Sequence, residues 1–189
     1  GRKKMKKEID VMPALAPVPV VMVSCHADGK DNITTVAWTG IVSSDPLLVY
    51  ISLRPTRYSY EIIQKSKEFV LNIPTKDMTY ETDYCGTKSG RQEDKWKKMH
   101  FTKEKCQHVK AFGIQECPIQ LECKVMEEKA LGSHHMFLAK VVGLKVEENL
   151  LNEKNQLDFV KADLLAYLGT NYIRSDQVVA KRGVCISKK

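Results

Sequence analysis

The stretch that decides the fold is residues 32–59, NITTVAWTGIVSSDPLLVYISLRPTRYS. It starts polar and hydroxyl-rich, turns at Ser44-Asp45-Pro46, and returns through the apolar run Leu47-Leu48-Val49-Tyr50-Ile51. It stops at Arg54-Pro55-Thr56-Arg57-Tyr58-Ser59. Threonine, valine, isoleucine and aromatic residues on both sides of the turn predict two strands, over 32–43 and 47–53. The pair delivers two arginines and two hydroxyls to one end, a set suited to holding a phosphate.

Working outward, the valine-rich residues 18–26 predict a buried strand, and Asp28-Gly29-Lys30-Asp31 a turn. Residues 58–67 predict a helix with Ser59 as N-cap and Ile62, Ile63 and Ser66 on one side. Residues 69–73 predict a short strand ended by Pro74, and 77–85 a short helix stopped by Gly86. A polar loop at 87–93 and a helical turn at 95–99 follow. Strands are expected at 119–128 and 135–146, where apolar residues alternate, joined at Gly132-Ser133. Residues 147–160 read as an exposed polar insertion, 162–168 as an apolar segment before Gly169, and 171–189 as a polar tail with a short Val184-Cys185-Ile186. About six strands with short helices and no β-α-β alternation argue against a doubly wound nucleotide fold. They fit a mainly β protein built on a closed or nearly closed antiparallel barrel.

The 189 residues, 43% hydrophobic and 28% charged, predict one domain over residues 11–189 after a basic segment at 1–10. Residues 1–4 precede Met5 and read as an appended remnant. No apolar run approaches the ~20 residues of a membrane-spanning helix. The run at 11–23 is cut by Pro13, Pro17 and Pro19, which breaks the helix a signal peptide needs, so a cytoplasmic protein with no membrane partner is expected. The net charge is +7, with Arg2, Lys3, Lys4, Lys6 and Lys7 crowded at the start. No basic stripe interleaved with aromatics, helix-turn-helix or zinc-finger spacing accompanies it, so no nucleic acid partner is expected. The charge favours anionic small molecules instead. The six cysteines (Cys25, Cys85, Cys106, Cys117, Cys123, Cys185) show no CxxC spacing, which predicts no zinc and reduced thiols. Cys85 stands apart because it falls in a Gly-rich polar loop.

Neither GxGxxG nor a P-loop occurs, so a phosphate must be held by other means. Arg57 and Ser59 at a helix start either grip an anion or merely cap the helix and face solvent. Ser89-Gly90-Arg91 with Asp94-Lys95 either adds donors to the same anion or is a solvated loop. In Thr34-Thr35-Val36-Ala37-Trp38-Thr39-Gly40, the small residues Ala37 and Gly40 permit close approach of a planar ligand to a strand backbone. Trp38 either covers such a ring or belongs to the core. His134 and His135, adjacent on a strand end, point to opposite faces and cannot easily share a metal ion, so none is expected. A single inward His134 could contact a ligand or donate a proton; otherwise it is an exposed turn histidine. No Ser-His-Asp set or carboxylate pair supports hydrolysis.

Taken together and in order, these pieces resemble the flavin reductase-like, FMN-binding split-barrel family, in its flavoredoxin-type branch. The matching pieces are Asn32-x-x-Thr35-x-Ala37-Trp38-x-Gly40, Ser44-Asp45-Pro46, Arg54-x-x-Arg57-x-Ser59 and Asp83-Tyr84-Cys85-Gly86. Ser89-Gly90-Arg91, Asp94-Lys95, Glu116-Cys117-Pro118, Leu121-Glu122-Cys123 and Gly132-Ser133-His134 complete the match, which spans about residues 17–172. The resemblance implies an antiparallel FMN-binding split β-barrel that forms a homodimer, with FMN held noncovalently at the interface. It implies that Thr35, Val36, Ala37, Trp38, Thr39 and Gly40 line the isoalloxazine ring. It implies phosphate contacts from Arg57 and Ser59, joined by Ser89 and Lys95. Asn32, Arg54, Thr56, Cys85, Gly90, Arg91 and Tyr172 complete the expected cofactor site. It places His134 on the nicotinamide side, as the catalytic candidate. Many relatives carry an Asp-His pair at that turn and a glycine at Ala139; here Ser133 replaces the acid. The implied activity passes electrons from NAD(P)H through FMN to free flavin, ferric iron or a protein acceptor. The alternative is a noncatalytic electron-transfer protein reduced by a protein donor.

Overall fold

The computed structural model describes residues 3–186. The valine run becomes two strands, β1 (Val18–Pro19) and β2 (Val21–Ala27). Asp28 and Gly29 both take positive φ, 51° and 75°, and turn the chain into β3 (Lys30–Val36), as a two-residue hairpin requires. The stretch expected as one strand over 32–43 is broken at Ala37-Trp38, after which β4 (Thr39–Ser44) starts afresh. Asp45-Pro46 connects it to β5 (Leu47–Leu53), in register from Thr39↔Ile51 to Ser44↔Leu47. Helix α1 (Tyr58–Ser66) ends on Lys67 in the left-handed region and leads into β6 (Glu68–Ile73). A 3₁₀ turn at Lys76–Met78, α2 (Thr79–Thr87) and α3 (Lys95–Lys98) follow. A small ribbon of β7 (Lys103–Glu104) and β8 (Gly113–Ile114) precedes the long hairpin of β9 (Ile119–Ala130) and β10 (His135–Val146). β11 (Leu164–Leu168) and β12 (Asn171–Ser175) pair with each other and, through β11, with β1.

The main sheet runs β3-β2-β6-β9-β10-β5-β4. Its two edges, β3 and β4, are joined by two residues. Six gaps of ~4.8 Å would separate those edges in a flat sheet, about 29 Å, whereas each residue reaches at most ~3.5 Å. The sheet must therefore curl until both edges meet at Ala37-Trp38. The result is a nearly closed antiparallel barrel with one seam. The Trp38 carbonyl accepts from the Ser52 N–H at 3.0 Å and stitches the link to β5.

Alternation fills the barrel. Val49, Ile51 and Leu53 of β5 point inward and meet Val23, Cys25, Phe69 and Phe137, all but excluded from solvent. Tyr60, Ile62 and Ile63 of α1 join this core. A second apolar layer, Met22, Ile33, Met78, Cys85, Trp96, Ile114 and Cys117, lies where α2 and α3 cover the outer face of β2 and β3.

Three expectations are corrected. Gly86 does not stop α2, which runs on to Thr87 and takes Cys85 out of the expected loop into a buried helical position. The segment at 147–160 is not wholly exposed: Leu150 and Leu157 pack with Ile119 and Ala162. The start of the expected polar tail is strand β12, because its polar sequence finds an apolar ladder partner in β11.

Candidate functional site

The seam opens beside the start of α1 into a cleft with two lobes. One lobe, of about 140 Å³, is lined by Thr34, Thr35, Val36, Ala37, Trp38, Ser52, Leu53, Arg54, Arg57 and His134. The other, of about 310 Å³, is lined by Asn32, Thr34, Arg54, Thr56, Arg57, Tyr58, Thr87, Lys88, Ser89, Gly90, Arg91 and Lys95. Thr34, Arg54 and Arg57 belong to both. The second lobe carries five cationic side chains and no carboxylate in its lining.

Each cation is placed differently. Arg57 is itself the N-cap residue of α1, with extended φ −68° and ψ 142°, and its Nη1 donates to the Gly86 carbonyl at 3.2 Å. That bond ties the start of α1 to the end of α2 at the junction of the lobes. Lys95 is 3% exposed, and its Nζ donates to the carbonyls of Ile33 (2.8 Å) and Cys85 (2.7 Å). Burial first, then the Arg57 charge, pulls its pKa down to about 8. An ammonium has three donors, so one remains for the lobe that Lys95 lines. Arg91 donates to the Thr56 carbonyl at 3.0 Å and lies 5.2 Å over the Tyr58 ring, folding loop 88–93 back onto α1. Arg54, in contrast to Arg57 and Arg91, has no side-chain hydrogen bond or ion pair among the described residues.

Close packing shapes the same lobe. The Asn32 amide donates to the Ser59 hydroxyl at 2.9 Å, both buried. Gly90 lies against that amide so tightly that a Cβ would fall 2.2 Å from Asn32 Oδ1. Ser89 accepts from the Arg91 N–H at 3.2 Å and so shapes the loop turn.

In the smaller lobe the backbone is what the chain offers. The Thr35 hydroxyl is turned away, donating to the Thr82 carbonyl at 2.5 Å, and the Val36 side chain is core. Trp38 is 44% exposed, so it is a wall of the cleft and not core; its ring lies 4.5 Å from that of His134, tilted by 43°. His134 sits in the turn between β9 and β10, closed by the Leu131 N–H donating to the His134 carbonyl. Its Nδ1 lies 2.8 Å from the Ser133 hydroxyl, so the serine takes up the place expected of an acid. Burial, then Arg54 and Arg57, hold the His134 pKa below the usual imidazole value. His135 faces the other way, its Nδ1 2.7 Å from the Tyr60 hydroxyl, which also donates to Glu128.

Several expected site residues lie elsewhere. Ser59 is not the N-cap and is fully buried, because helical bonding already starts at the Arg57 carbonyl; it positions Asn32 instead. Thr39 and Gly40 line neither lobe; both belong to the ladder with β5, opposite Ile51 and Tyr50. The Thr39 hydroxyl donates to the Tyr50 carbonyl, and Gly40 is pressed on the Tyr50 ring, where a Cβ would meet it at 3.1 Å. The Cys85 thiol is buried and pushed up to about 12; only its carbonyl serves the site. Tyr172 belongs to a neighbouring hollow of about 200 Å³ that shares Thr35 and Ala37 with the smaller lobe, and its hydroxyl donates to Asp83 at 2.8 Å. Ser52, Leu53, Tyr58, Thr87 and Lys88 line the cleft unforeseen, and Thr34, which heads the stretch read for a planar ligand but is not among the expected contacts, lines both lobes. Thr34 was within reach of sequence reasoning, two residues along the strand from Asn32 and so on the same face. Among the described residues no three His, Cys, Asp or Glu side chains group as metal ligands.

An acid-free cationic lobe suits a phosphate dianion, and a backbone-lined lobe walled by Trp38 suits a flat polar ring. The chemistry of the donors therefore fits a flavin mononucleotide. Comparison with known proteins points the same way. The family described as flavin reductase like domain matches residues 14–173. Flavoredoxin of Desulfovibrio vulgaris (Miyazaki F) superimposes with a TM-score of 0.87 at 28% identity, covering 94% of this chain and 97% of that one. A flavoredoxin from Methanosarcina acetivorans gives 0.84 at 26%, covering 96% of each. An uncharacterized protein of Pyrococcus abyssi is 32% identical over 128 residues, 68% of this chain and 73% of its own length. By its barrel, its seam cleft and these likenesses, the chain belongs to the flavin reductase-like, FMN-binding split-barrel family.

Proposed function

We propose that the cleft binds FMN noncovalently and that the protein is an NAD(P)H-dependent oxidoreductase of the flavin reductase type. Its acceptor is free flavin, ferric iron or a protein. The observation that carries this reading is the junction of the two lobes at Thr34, Arg54 and Arg57, which puts a phosphate site and a ring site one side chain apart.

Bound FMN supplies a ring able to accept a hydride and to release electrons singly or in pairs. The chain's own residues bind and orient. Arg57, Lys88, Arg91 and Lys95 neutralise the phosphate, with Asn32 and Gly90 setting the wall against which it rests. Backbone groups of residues 34–38 hold the ring edge, and Trp38 limits water access. Ser133 holds Nδ1 of His134 and leaves Nε2 to exchange a proton with a ligand in the ring lobe.

The reading extends to one domain over residues 11–189, acting as a homodimer in the cytoplasm. Trp38, Ile41 and Val42, along and beside β4, are exposed apolar side chains of the kind that subunit contacts cover. The cysteines are unpaired, which suits a reducing compartment. Among the described residues no helix is long and apolar enough to cross a membrane.

A visible spectrum and FMN titration of the purified protein test the cofactor. A colourless protein that does not respond to FMN would sink the reading. Anaerobic stopped-flow mixing with NADH and NADPH tests the donor through bleaching of the flavin band. The likeness to two flavoredoxins favours a second reading, a noncatalytic electron carrier reduced by a protein. Bleaching by neither nucleotide on a turnover timescale would favour that carrier.

A further inference from the structure

We propose that Arg54 and His134 form a second anion subsite, which takes the phosphate or carboxylate group of the small-molecule electron donor and not the phosphate of the flavin. This rests on the flavin reading above and assigns a task within the same cleft.

Three observations carry it. First, the larger lobe holds more positive charge than one phosphate needs. Arg57, Lys88 and Lys95 line it besides Arg54, as does Arg91, which Glu61 pairs with at 3.6 Å; a phosphate monoester carries at most about two negative charges, so the three remaining cations exceed its need without Arg54. Second, the fixed cations are already oriented. Arg57 is tied to Gly86, Arg91 to Thr56 and Lys95 to Ile33 and Cys85. The Arg54 guanidinium, with five N–H donors, has no such tie among the described residues. Third, strand register puts Arg54 beside His134. His135 pairs with Leu53, so the residue after β5 and the residue before β10 emerge together at the mouth of the smaller lobe.

The consequence for recognition is specific. An arginine grips phosphate and carboxylate oxygens through two N–H groups at once. The neighbouring imidazole is stacked on Trp38 and fixed at Nδ1 by Ser133, with Nε2 free of a protein partner among the described residues. An oxyanion held by Arg54 offsets the cationic field on the imidazole and favours its protonated form. Arrival of the donor is thereby coupled to charging of His134.

The test uses FMN-loaded protein with R54Q and R57Q variants. FMN affinity is read by flavin fluorescence. NADP+, NAD+ and benzoate serve as unreactive probes, read by perturbation of the flavin spectrum. R54Q is expected to weaken the bound probe about tenfold or more while changing FMN affinity less than R57Q does. NADP+ binding tighter than NAD+ assigns a phosphomonoester. Equal binding of both, lost in R54Q, assigns a pyrophosphate. Benzoate binding lost in R54Q assigns a carboxylate. Independently, a saturating probe is expected to raise the NMR titration midpoint of His134 in the wild type and not in R54Q. The proposal is overturned if R54Q loses as much FMN affinity as R57Q, or if no probe binds more weakly to R54Q. Failure of the wild-type protein to bind FMN at all would instead remove the flavin reading beneath it.

Discussion

Lys95 donates to the carbonyl of Ile33 at 2.8 Å from a side chain that is only 3% exposed. A buried ammonium facing a cavity is a pH-dependent anion ligand. Its pKa of about 8 sets the window. The proposed phosphate contact favours the protonated form, so affinity is expected to be highest near pH 7, above the second phosphate pKa of ~6, and to decline through about pH 8. Stability of the protein without ligand moves oppositely: the unfolded chain holds this proton up to the ordinary value of 10.5, so the lysine's contribution improves between about 8 and 10.5. K95M is expected to weaken FMN binding and flatten its pH profile. A wild-type affinity unchanged from pH 7 to 9.5 would contradict this role.

Gly90 and Asn32 are expected to couple. A Cβ at residue 90 would sit 2.2 Å from Asn32 Oδ1, so G90A must push the loop or the amide away. Overpacking of this kind costs about 1–3 kcal/mol. Urea unfolding and FMN titration of G90A, N32A and the double variant measure it. The double variant should lose less than the two single losses combined; strict additivity would show that the contact is not tight.

Arg57 reads as the phosphate anchor held in place by Gly86. R57A is expected to raise the FMN dissociation constant by about 10- to 100-fold, as loss of a charge-assisted bond does. The effect should shrink at high salt, where screening already weakens the wild type. An unchanged affinity would remove the phosphate assignment.

Particular residues show what the sequence could and could not reveal. β5 and β10 fall on the expected bounds because their alternation is set by one buried face. The break at Ala37-Trp38 was hidden, since tryptophan and threonine favour strands locally and only the distant pairing of β5 forces the kink. Ser59 was misassigned because serine is the better N-cap by type, yet hydrogen bonding among residues 54–60 starts the helix at Arg57. Arg57 and Lys95 were legible by charge and motif. The burial of Lys95 was not, because it depends on α3 packing against β3. Thr39 and Gly40 are placed at the ring only by the resemblance, and the break at Ala37-Trp38 that carries them into β4 has no local sequence signal.

Ser133 is expected to act through His134. S133A removes the partner of Nδ1 and frees the imidazole to rotate. On the proposed reading, reduction of the bound flavin by NAD(P)H should slow in S133A while FMN affinity stays within about twofold, and S133D should restore the rate and raise the His134 titration midpoint. Equal rates in S133A and wild type would leave the hydroxyl without a positioning role.

Tyr60 bridges α1 to the hairpin, with its hydroxyl between Glu128 and His135. Y60F keeps the ring and deletes the bridge. The cost should be about 1–2 kcal/mol, or about 2–8 °C in Tm for a chain of this size. Calorimetry that finds no loss would show the network to be idle.

The two-residue link at Ala37-Trp38 closes the barrel and also lines the ring lobe. Architecture and chemistry are therefore written in the same dipeptide. An insertion there would let the sheet uncurl and erase the lobe in one event, so this connection has no freedom to vary in length as ordinary loops do. The join therefore behaves as a fixed mechanical part, whose length is set by the closure of the sheet.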